Sequence, residues 1–341
     1  MTETTTKTVM IDRAKLEPIV EKAIKNGRVI STEGMPKETW LGLRNIIGLG
    51  GSEVATVLGI NPYKTAYKLW QEKVSDEIEV IENKFTIWGN LLEGPIADEY
   101  MRQTGNIVVE DKKIRIHSEH RELFVNLDRV VMQDGIAIGI VEIKTTTQRN
   151  YNYWQKDADD CVEGIPLTYY CQVQHELSVS NMPWCDLVFG LIDARELVIR
   201  RITRDDEYIK RQNTALVGWW NAYVVQNVAP PMTAAEYSFV DPMAESYVEA
   251  TGEIAELYAN LKGKKETLKS LDKEIERDED KIKEFMGDRE NLILIDKVIA
   301  SWKMQKRESI DSKKLKSEMP DIAEKYNKVS QFRVLRLKEL N

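Results

Sequence analysis

Asp128, Glu142 and Lys144 are the residues whose types and spacing could do chemistry together. Ala137 to Ile143 is almost wholly apolar and rich in β-branched residues, the composition of a buried strand, yet it ends on an acid and a lysine two residues apart. Residues i and i+2 of a strand share a face, so Glu142 and Lys144 project together from one strand end. Two such charges beside a core are costly unless they are paired or hold a metal. Gln133-Asp134-Gly135 supplies an Asp-Gly turn that folds the preceding strand, Phe124 to Met132, back as a hairpin and sets Asp128 across from Glu142. Two carboxylates and a lysine on adjacent strands suit hydrolysis of a phosphodiester. The carboxylates hold hard divalent ions, usually Mg²⁺, against the scissile phosphate, while the lysine orients or deprotonates the attacking water and offsets developing charge.

Spacing alone does not single out this set, because Glu82-Asn83-Lys84 and Glu279-Asp280-Lys281 repeat it inside polar, helical surroundings. Only the Glu142 copy follows an apolar strand and a hairpin. The elements that must position it come next. Leu167 to Val179 reads as a helix on which Tyr169 and Gln172, three apart, share a face that Gln174 cannot share. Phe85 to Thr104 reads as a long helix with an apolar stripe of Ile87, Leu91, Leu92, Ile96 and Tyr100; Glu93 lies at its edge, where a lone glutamate is ordinarily solvated. Pro36 opens a helix over Glu38 to Arg44, and Gly48-Leu49-Gly50-Gly51-Ser52 leads into a second helix capped by Ser52. Such a glycine loop is either a plain capped helix start or an anion site made of free backbone N–H groups. Strands at Ile107 to Val109 and Ile114 to His117, with a hairpin of Asp186 to Ile192 and Glu196 to Arg201, complete a sheet of about five or six strands. A helix from Asp205 to Val225 follows, and Pro230-Pro231 marks a boundary.

Taken in order, four pieces carry a resemblance. They are Gly50-Gly51-Ser52-Glu53-Val54-Ala55 with Gly59-Ile60-Asn61-Pro62-Tyr63; Trp88-Gly89-Asn90-Leu91-Leu92-Glu93; Asp128 with Glu142-Ile143-Lys144; and Tyr169-Tyr170-Cys171-Gln172-Val173-Gln174. Together they resemble the PD-(D/E)xK nuclease core, and within it the lambda-exonuclease-like branch, the YqaJ-like viral recombinase family. The resemblance implies an α/β, restriction-endonuclease-like core with a central mixed β-sheet flanked by helices. That core is expected over residues 36–229, after a polar lead-in of residues 1–35 and before a helical and basic region of residues 230–341 that carries a β-hairpin. It further implies metal at Asp128, Glu142 and the Ile143 carbonyl, with Glu93 assisting and Lys144 acting on the water. Gln172 would contact the lysine or the phosphate, a buried amide capping a strand being the structural alternative. Tyr169 would face DNA, and Arg44 and Ser52 would grip the 5′-phosphate of a DNA end.

The activity so implied is 5′-to-3′ degradation of one strand of duplex DNA to 5′-mononucleotides, with Mg²⁺ and with Mn²⁺ able to substitute. It would serve phage or prophage recombination, a toroidal homotrimer threading the duplex and leaving 3′ strands for a single-strand annealing protein. Two alternatives stand beside it. One is an endonuclease on the same core, restriction-type or Cas4-like; the other is a non-catalytic DNA-binding scaffold.

Composition limits the setting. Cys161, Cys171 and Cys185 make no CxxC pair and read as reduced thiols, which speaks against zinc, disulfides and an iron–sulfur cluster. No run approaches the ~20 apolar residues of a membrane span, and the polar start has no secretory apolar region, so a cytoplasmic protein of a bacterial host cell is expected. The net charge of −8 opposes a wholesale nucleic-acid coat. Lys297 to Asn341 nonetheless holds 12 Lys and Arg against 6 Asp and Glu, a net of +6. Before it, Ile254, Leu257, Leu261, Leu268, Leu271, Ile275, Ile282 and Phe285 follow a heptad pattern interrupted by Lys264 and Asp278, which predicts a coiled-coil-like helix in which Gly263 marks the place where a break could fall. A hairpin of Asn291 to Ile295 with Val298 to Met304, a helix over Asp311 to Asn327 divided at Pro320, and a basic end with Arg333, Arg336 and Lys338 complete the expectation.

Overall fold

The apolar run that ends on Glu142 and Lys144 becomes the middle strand of a five-stranded mixed sheet. In this computed structural model residues 5–156, 160–237, 247–306, 308, 311–327, 335 and 337 are described. They fall in two units, Met1–Thr233 and Ala234–Asn341. The first unit begins β1 (Thr5–Met10), α1 (Arg13–Lys25), β2 (Val29–Ser31), α2 (Lys37–Ile47), a 3₁₀ turn (Gly51–Glu53), α3 (Val54–Val57), α4 (Ala66–Val74), β3 (Glu77–Glu82) and α5 (Lys84–Thr104). It continues β4 (Ile107–Glu110), β5 (Lys113–Ile116), β6 (Phe124–Val125), β7 (Arg129–Gln133), β8 (Ile136–Thr146), α6 (Gln148–Trp154), β9 (Cys161–Val162) and β10 (Ile165–Pro166). It closes with α7 (Leu167–Ser180), β11 (Trp184–Leu191), β12 (Glu196–Thr203), α8 (Asp206–Trp219) and a π-helical segment (Trp220–Val225).

The main sheet has the order β12-β11-β8-β7-β4, with β8 and β11 parallel and the other pairs antiparallel. Alternation along β8 divides its neighbours. Val141 and Ile143 pack with Ala97 and Tyr100 of α5, whereas Ile140 packs with Val173 and Leu177 of α7. Helices therefore cover both faces, and Glu142, in phase with Ile140, points toward α7. The β7–β8 turn has positive φ at both central residues, Asp134 (51°) and Gly135 (78°), as a tight hairpin requires.

Several sequence expectations change. The strand expected over Phe124 to Met132 is cut in two: β6 pairs with β5 in a small sheet, β7 joins the main sheet, and Asn126 to Asp128 crosses between them. Asn126 holds that crossing by donating from Nδ2 to the Lys113 carbonyl at 2.9 Å. Residues 5–35 are not a loose lead-in. Strand β1 pairs with β3, and Ile11, Leu16, Val20 and Ala23 bury themselves with Leu43, Ile47 and Ile114, because the apolar side of α1 finds a partner in α2. Finally, the α5 stripe is only partly buried: Ala97 and Tyr100 are covered, while Ile87 and Leu91 remain 48% and 62% exposed.

The second unit contains α9 (Ala234–Tyr237), α10 (Gly252–Met286), β13 (Asn291–Leu294), β14 (Lys297–Ser301), α11 (Ser312–Glu318) and α12 (Pro320–Lys325). Helix α10 runs unbroken through Gly263 for 35 residues. Arg333, Arg336 and Lys338 lie outside the described residues. No helix among the described residues is long and apolar enough to cross a membrane.

The glycine loop depends on one backbone contact. Gly48 has φ of 154°, Leu49 donates its N–H to the Glu122 carbonyl at 2.7 Å, and a Cβ on Gly48 would lie 1.9 Å from that same oxygen. Backbone cannot yield as a side-chain tip can. Gly48→Ala is therefore expected to lower stability by about 2–4 kcal/mol, measured as a reduced urea midpoint; an unchanged midpoint would show that the loop has room.

Candidate active site

The end of β8 gathers charge that the core cannot solvate. Glu142 is 3% exposed, and its Oε1 accepts hydrogen bonds from Lys144 Nζ and from Gln172 Nε2, each at 2.6 Å. Gln172 uses the same amide nitrogen to donate to Glu176 Oε1 at 2.9 Å, one turn farther along α7. Asp128, at the mouth of β7, accepts from the Ile143 N–H through Oδ2 at 3.0 Å. Lys144 Nζ stands 5.5 Å from the centre of the Tyr169 ring, which itself packs against Trp154 and Phe189. Asp128, Glu142, Lys144, Gln172 and Tyr169 thus come together on the α7 side of the sheet. Gln174 is turned away, donating to the Thr203 carbonyl and accepting from Asp205 N–H, so its role is to tie α7 to the end of β12.

The other predicted residues surround this group. Glu93 approaches from α5, where its Oε1 accepts from Arg129 Nη1 at 2.5 Å; Arg129 also donates to the Asp128 carbonyl at 2.6 Å. Glu93 and Asp128 line one cavity of about 240 Å³. A second cavity, about 750 Å³, is lined by Ser52, Tyr63, Trp154, Tyr169 and Gln172. Ser52 does not cap a helix as expected. It lies inside the 3₁₀ turn, and the side chain that bonds back to the loop is that of Glu53, whose Oε2 accepts from the Gly50 N–H at 2.8 Å. Arg44 lies beneath the glycine loop, its guanidinium 4.6 Å from the Trp40 ring centre and 5.6 Å from that of Phe124, with Nη1 donating to Asn126 Oδ1 at 3.2 Å.

The charges do not balance. Burial, then the neighbouring Asp128, pushes Glu142 up to about 7 even with Lys144 bonded to it. Burial, then Glu142, pushes Glu176 well above the ordinary carboxyl value. Burial opposes the charge on Lys144, but Glu142 and then Asp128 outweigh it, so its proton is held above the ordinary lysine value. Burial, then Asp128, likewise raises Glu93. Lys144 therefore stays an ammonium, and the acids around it compete for too little positive charge.

That excess makes a divalent cation chemically suitable. Asp128, Glu142 and the Ile143 carbonyl are hard oxygen donors of the kind Mg²⁺ takes, and Mg²⁺ commonly binds through one or two carboxylates while keeping waters. Among the described residues no three carboxylate, imidazole or thiol groups converge on one point, so protein ligands would not close the site. Glu176 Oε2 is buried with no hydrogen-bond partner among the described residues, a further sign of unbalanced negative charge.

Sequence reasoning missed Glu176. Its signal was the four-residue step from Gln172 along a helix whose neighbours Val173 and Leu177 are apolar. It also missed the buried pair of Lys73 and Glu53 beneath the glycine loop, joined at 2.8 Å. That pair leaves no local trace, because its members come from different helical elements.

Comparison with known proteins adds the following. A family model described as the YqaJ-like viral recombinase domain matches residues 39–183. A Bacillus subtilis (strain 168) protein described as uncharacterized protein YqaJ is 32% identical over 319 residues, 90% of this chain and 96% of the relative. Among solved structures, an alkaline exonuclease of Laribacter hongkongensis is similar with a TM-score of 0.46 at 23% identity, over 56% of this chain and 94% of that one. A phage-related exonuclease of Haemophilus somnus 129PT is similar with a TM-score of 0.39 at 16% identity, over 55% and 100%.

The charge excess has a measurable sign. Carboxyls raised in the folded state bind more protons folded than unfolded, so Glu142 and Glu176 cost stability as pH rises. His117 and His175, both pushed down to about 4 chiefly by burial, act oppositely and cost stability as pH falls below their ordinary 6.5. Of these two sets, the carboxyls and the histidines, the carboxyls are the ones that act above that value. With EDTA present, the thermal midpoint should fall by roughly 3–6 °C between about pH 6.5 and pH 8.5, and fall less in Glu176→Gln. A wild-type midpoint flat across that interval in calorimetry would contradict the charge excess.

Proposed function

The chain belongs to the YqaJ-like viral recombinase family, and from that premise we propose that it is a Mg²⁺-dependent exonuclease acting 5′-to-3′ on duplex DNA ends. The observation that carries this reading is the buried Glu142 carboxylate, which receives the Lys144 ammonium and the Gln172 amide on one oxygen while Asp128 is pinned to the next backbone N–H. A purely structural ion pair needs none of the added acids.

In the proposed reaction Asp128, Glu142 and the Ile143 carbonyl hold the cation, and Glu93 assists from α5. A bound Mg²⁺ supplies Lewis-acid stabilisation of the charge that builds on the phosphate oxygens. Lys144 orients the attacking water and places positive charge beside the phosphate. Gln172 keeps Glu142 aimed and contributes hydrogen bonds without adding charge. Tyr169 provides a flat face under Lys144 along the 750 Å³ cavity, where a nucleotide can lie. Arg44 and Ser52 serve the 5′-phosphate at the glycine loop: Ser52 lines that cavity, and the nearest Arg44 nitrogen would lie 3.6 Å from a Cβ on Gly50. A 5′-mononucleotide departs, and the exposed 3′ strand passes to a single-strand annealing protein. Assembly as a trimer around the duplex, in the cytoplasm of a bacterial host during phage or prophage recombination, completes the proposal.

The test is digestion of linear duplex carrying a 5′-phosphate, beside closed circular DNA, with Mg²⁺ or with EDTA. Release of mononucleotides from the linear substrate alone, abolished by EDTA and lowered roughly 10²–10³-fold by Lys144→Ala, is expected. Cutting of the circle would replace the end-dependent reading with an endonuclease. DNA binding with no cleavage under any of these conditions would sink the catalytic reading.

A further inference from the structure

Helix α10 carries a complete heptad seam. Positions a are Ile254, Leu261, Leu268, Ile275 and Ile282; positions d are Leu257, Lys264, Leu271, Asp278 and Phe285. Of the eight apolar members, seven are between 44% and 78% exposed, Leu261 being the partly covered one. An apolar stripe of this length, broken only at Lys264 and Asp278 and exposed in water, marks an interaction surface. We propose that a second copy of this chain covers it, running antiparallel to form a two-stranded coiled coil.

Register and charge both select that partner. In an antiparallel two-fold pair each a position faces a d position of the other helix. Here Ile254 meets Phe285 of the second copy, Leu261 meets Asp278, Leu268 meets Leu271, Ile275 meets Lys264 and Ile282 meets Leu257. All ten positions engage with no overhang, and the two-fold axis falls between Leu268 and Leu271. The two charged seam residues become complementary: Lys264 lies one layer, about 4.5 Å along the axis, from Asp278 of the second copy. On the flank, Lys265 comes within reach of Asp272 and Glu279 of the second copy. The parallel alternative sets Lys264 against Lys264, Asp278 against Asp278, and Glu274 at a g position against Glu279 at the following e position, every one a like-charge contact. Charged residues at d positions therefore act as an orientation code, attractive in one direction and repulsive in the other.

The full-length protein tests this by sedimentation equilibrium and by distance between labels. With the first unit a trimer, three helices cannot pair off within one ring, so wild type should sediment at no less than twice the mass of Leu268→Glu/Leu271→Glu. Lys264→Asp and Asp278→Lys should each weaken self-association by about tenfold or more, and the double swap should restore it, because only opposed helices exchange the two charges. A spin label at Glu256→Cys, in a Cys161→Ser background that leaves the buried Cys171 and Cys185, should report roughly 40 Å between copies, the rise of 27 residues. Equal masses for wild type and Leu268→Glu/Leu271→Glu would overturn the proposal. A double swap no better than the single ones, or a label distance under about 25 Å, the span of two helix diameters, would overturn the antiparallel pairing.

Discussion

Glu142 cannot ionise at the end of a buried strand without neighbours, and that constraint arranges the first unit. An unpaired charge there would cost several kcal/mol, so donors have to arrive from outside the strand's own ladder. One comes from two residues along the same strand; the other comes from α7, which fixes how that helix is rotated. With Gln172 and Glu176 turned toward the strand, Val173 and Leu177 enter the core beside Ile140, and Gln174 is left to tie α7 to the end of β12. Asp128 completes the ring through the Ile143 N–H, which the chain allows only because it leaves one sheet and enters another at that point.

A second buried charge group obeys the same rule with the opposite sign. Beneath the glycine loop Lys73 pairs with Glu53, whose second oxygen is spent on the Gly50 N–H, and Arg44 stands near enough to feel the same carboxylate without bonding it. Positive charge is in excess there, whereas negative charge is in excess around Glu142. The two groups meet at the loop: a Cβ on Gly51 would lie 3.2 Å from Gln172 Cγ and from Glu176 Oε1, a gap that glycine leaves open. A site with surplus cations on one side and surplus acids on the other suits a bound phosphate and a bound divalent ion side by side, which is the polarity that the proposed hydrolysis needs.

What the sequence made legible was what is local. The apolar run to Ile143, the Asp-Gly turn and the three-residue step from Tyr169 to Gln172 are each settled within a few residues, and each reappears in the fold. The losses have one cause, pairing at a distance. A continuous β pattern over Phe124 to Met132 gives no sign that its halves serve different sheets, since that depends on β5 being free to take the first half. The first 35 residues looked detached because the stripe of Leu16, Val20 and Ala23 has no meaning until α2 lies beside it. Ser52 does not cap because the chain forms a 3₁₀ turn over Gly51–Glu53 before α3 starts at Val54, so Glu53 and not Ser52 stands at the helix boundary.

The acidic balance of the chain bears on how such a site would hold DNA. At −8 the molecule as a whole repels phosphate, and its positive excess is confined to stretches such as Lys297 to Asn341, a net of +6. In the proposed reaction attraction would come from charge held in place: a guanidinium flanked by two rings, a buried lysine, and the divalent ion that Asp128 and Glu142 would hold. Fixed charges of this kind act over a few ångströms in a low dielectric, where they are strong, and contribute little beyond a Debye length. Binding so built favours a phosphate placed at the glycine loop over any phosphate of a long duplex. Selectivity for an end would then arise from where the charge is confined.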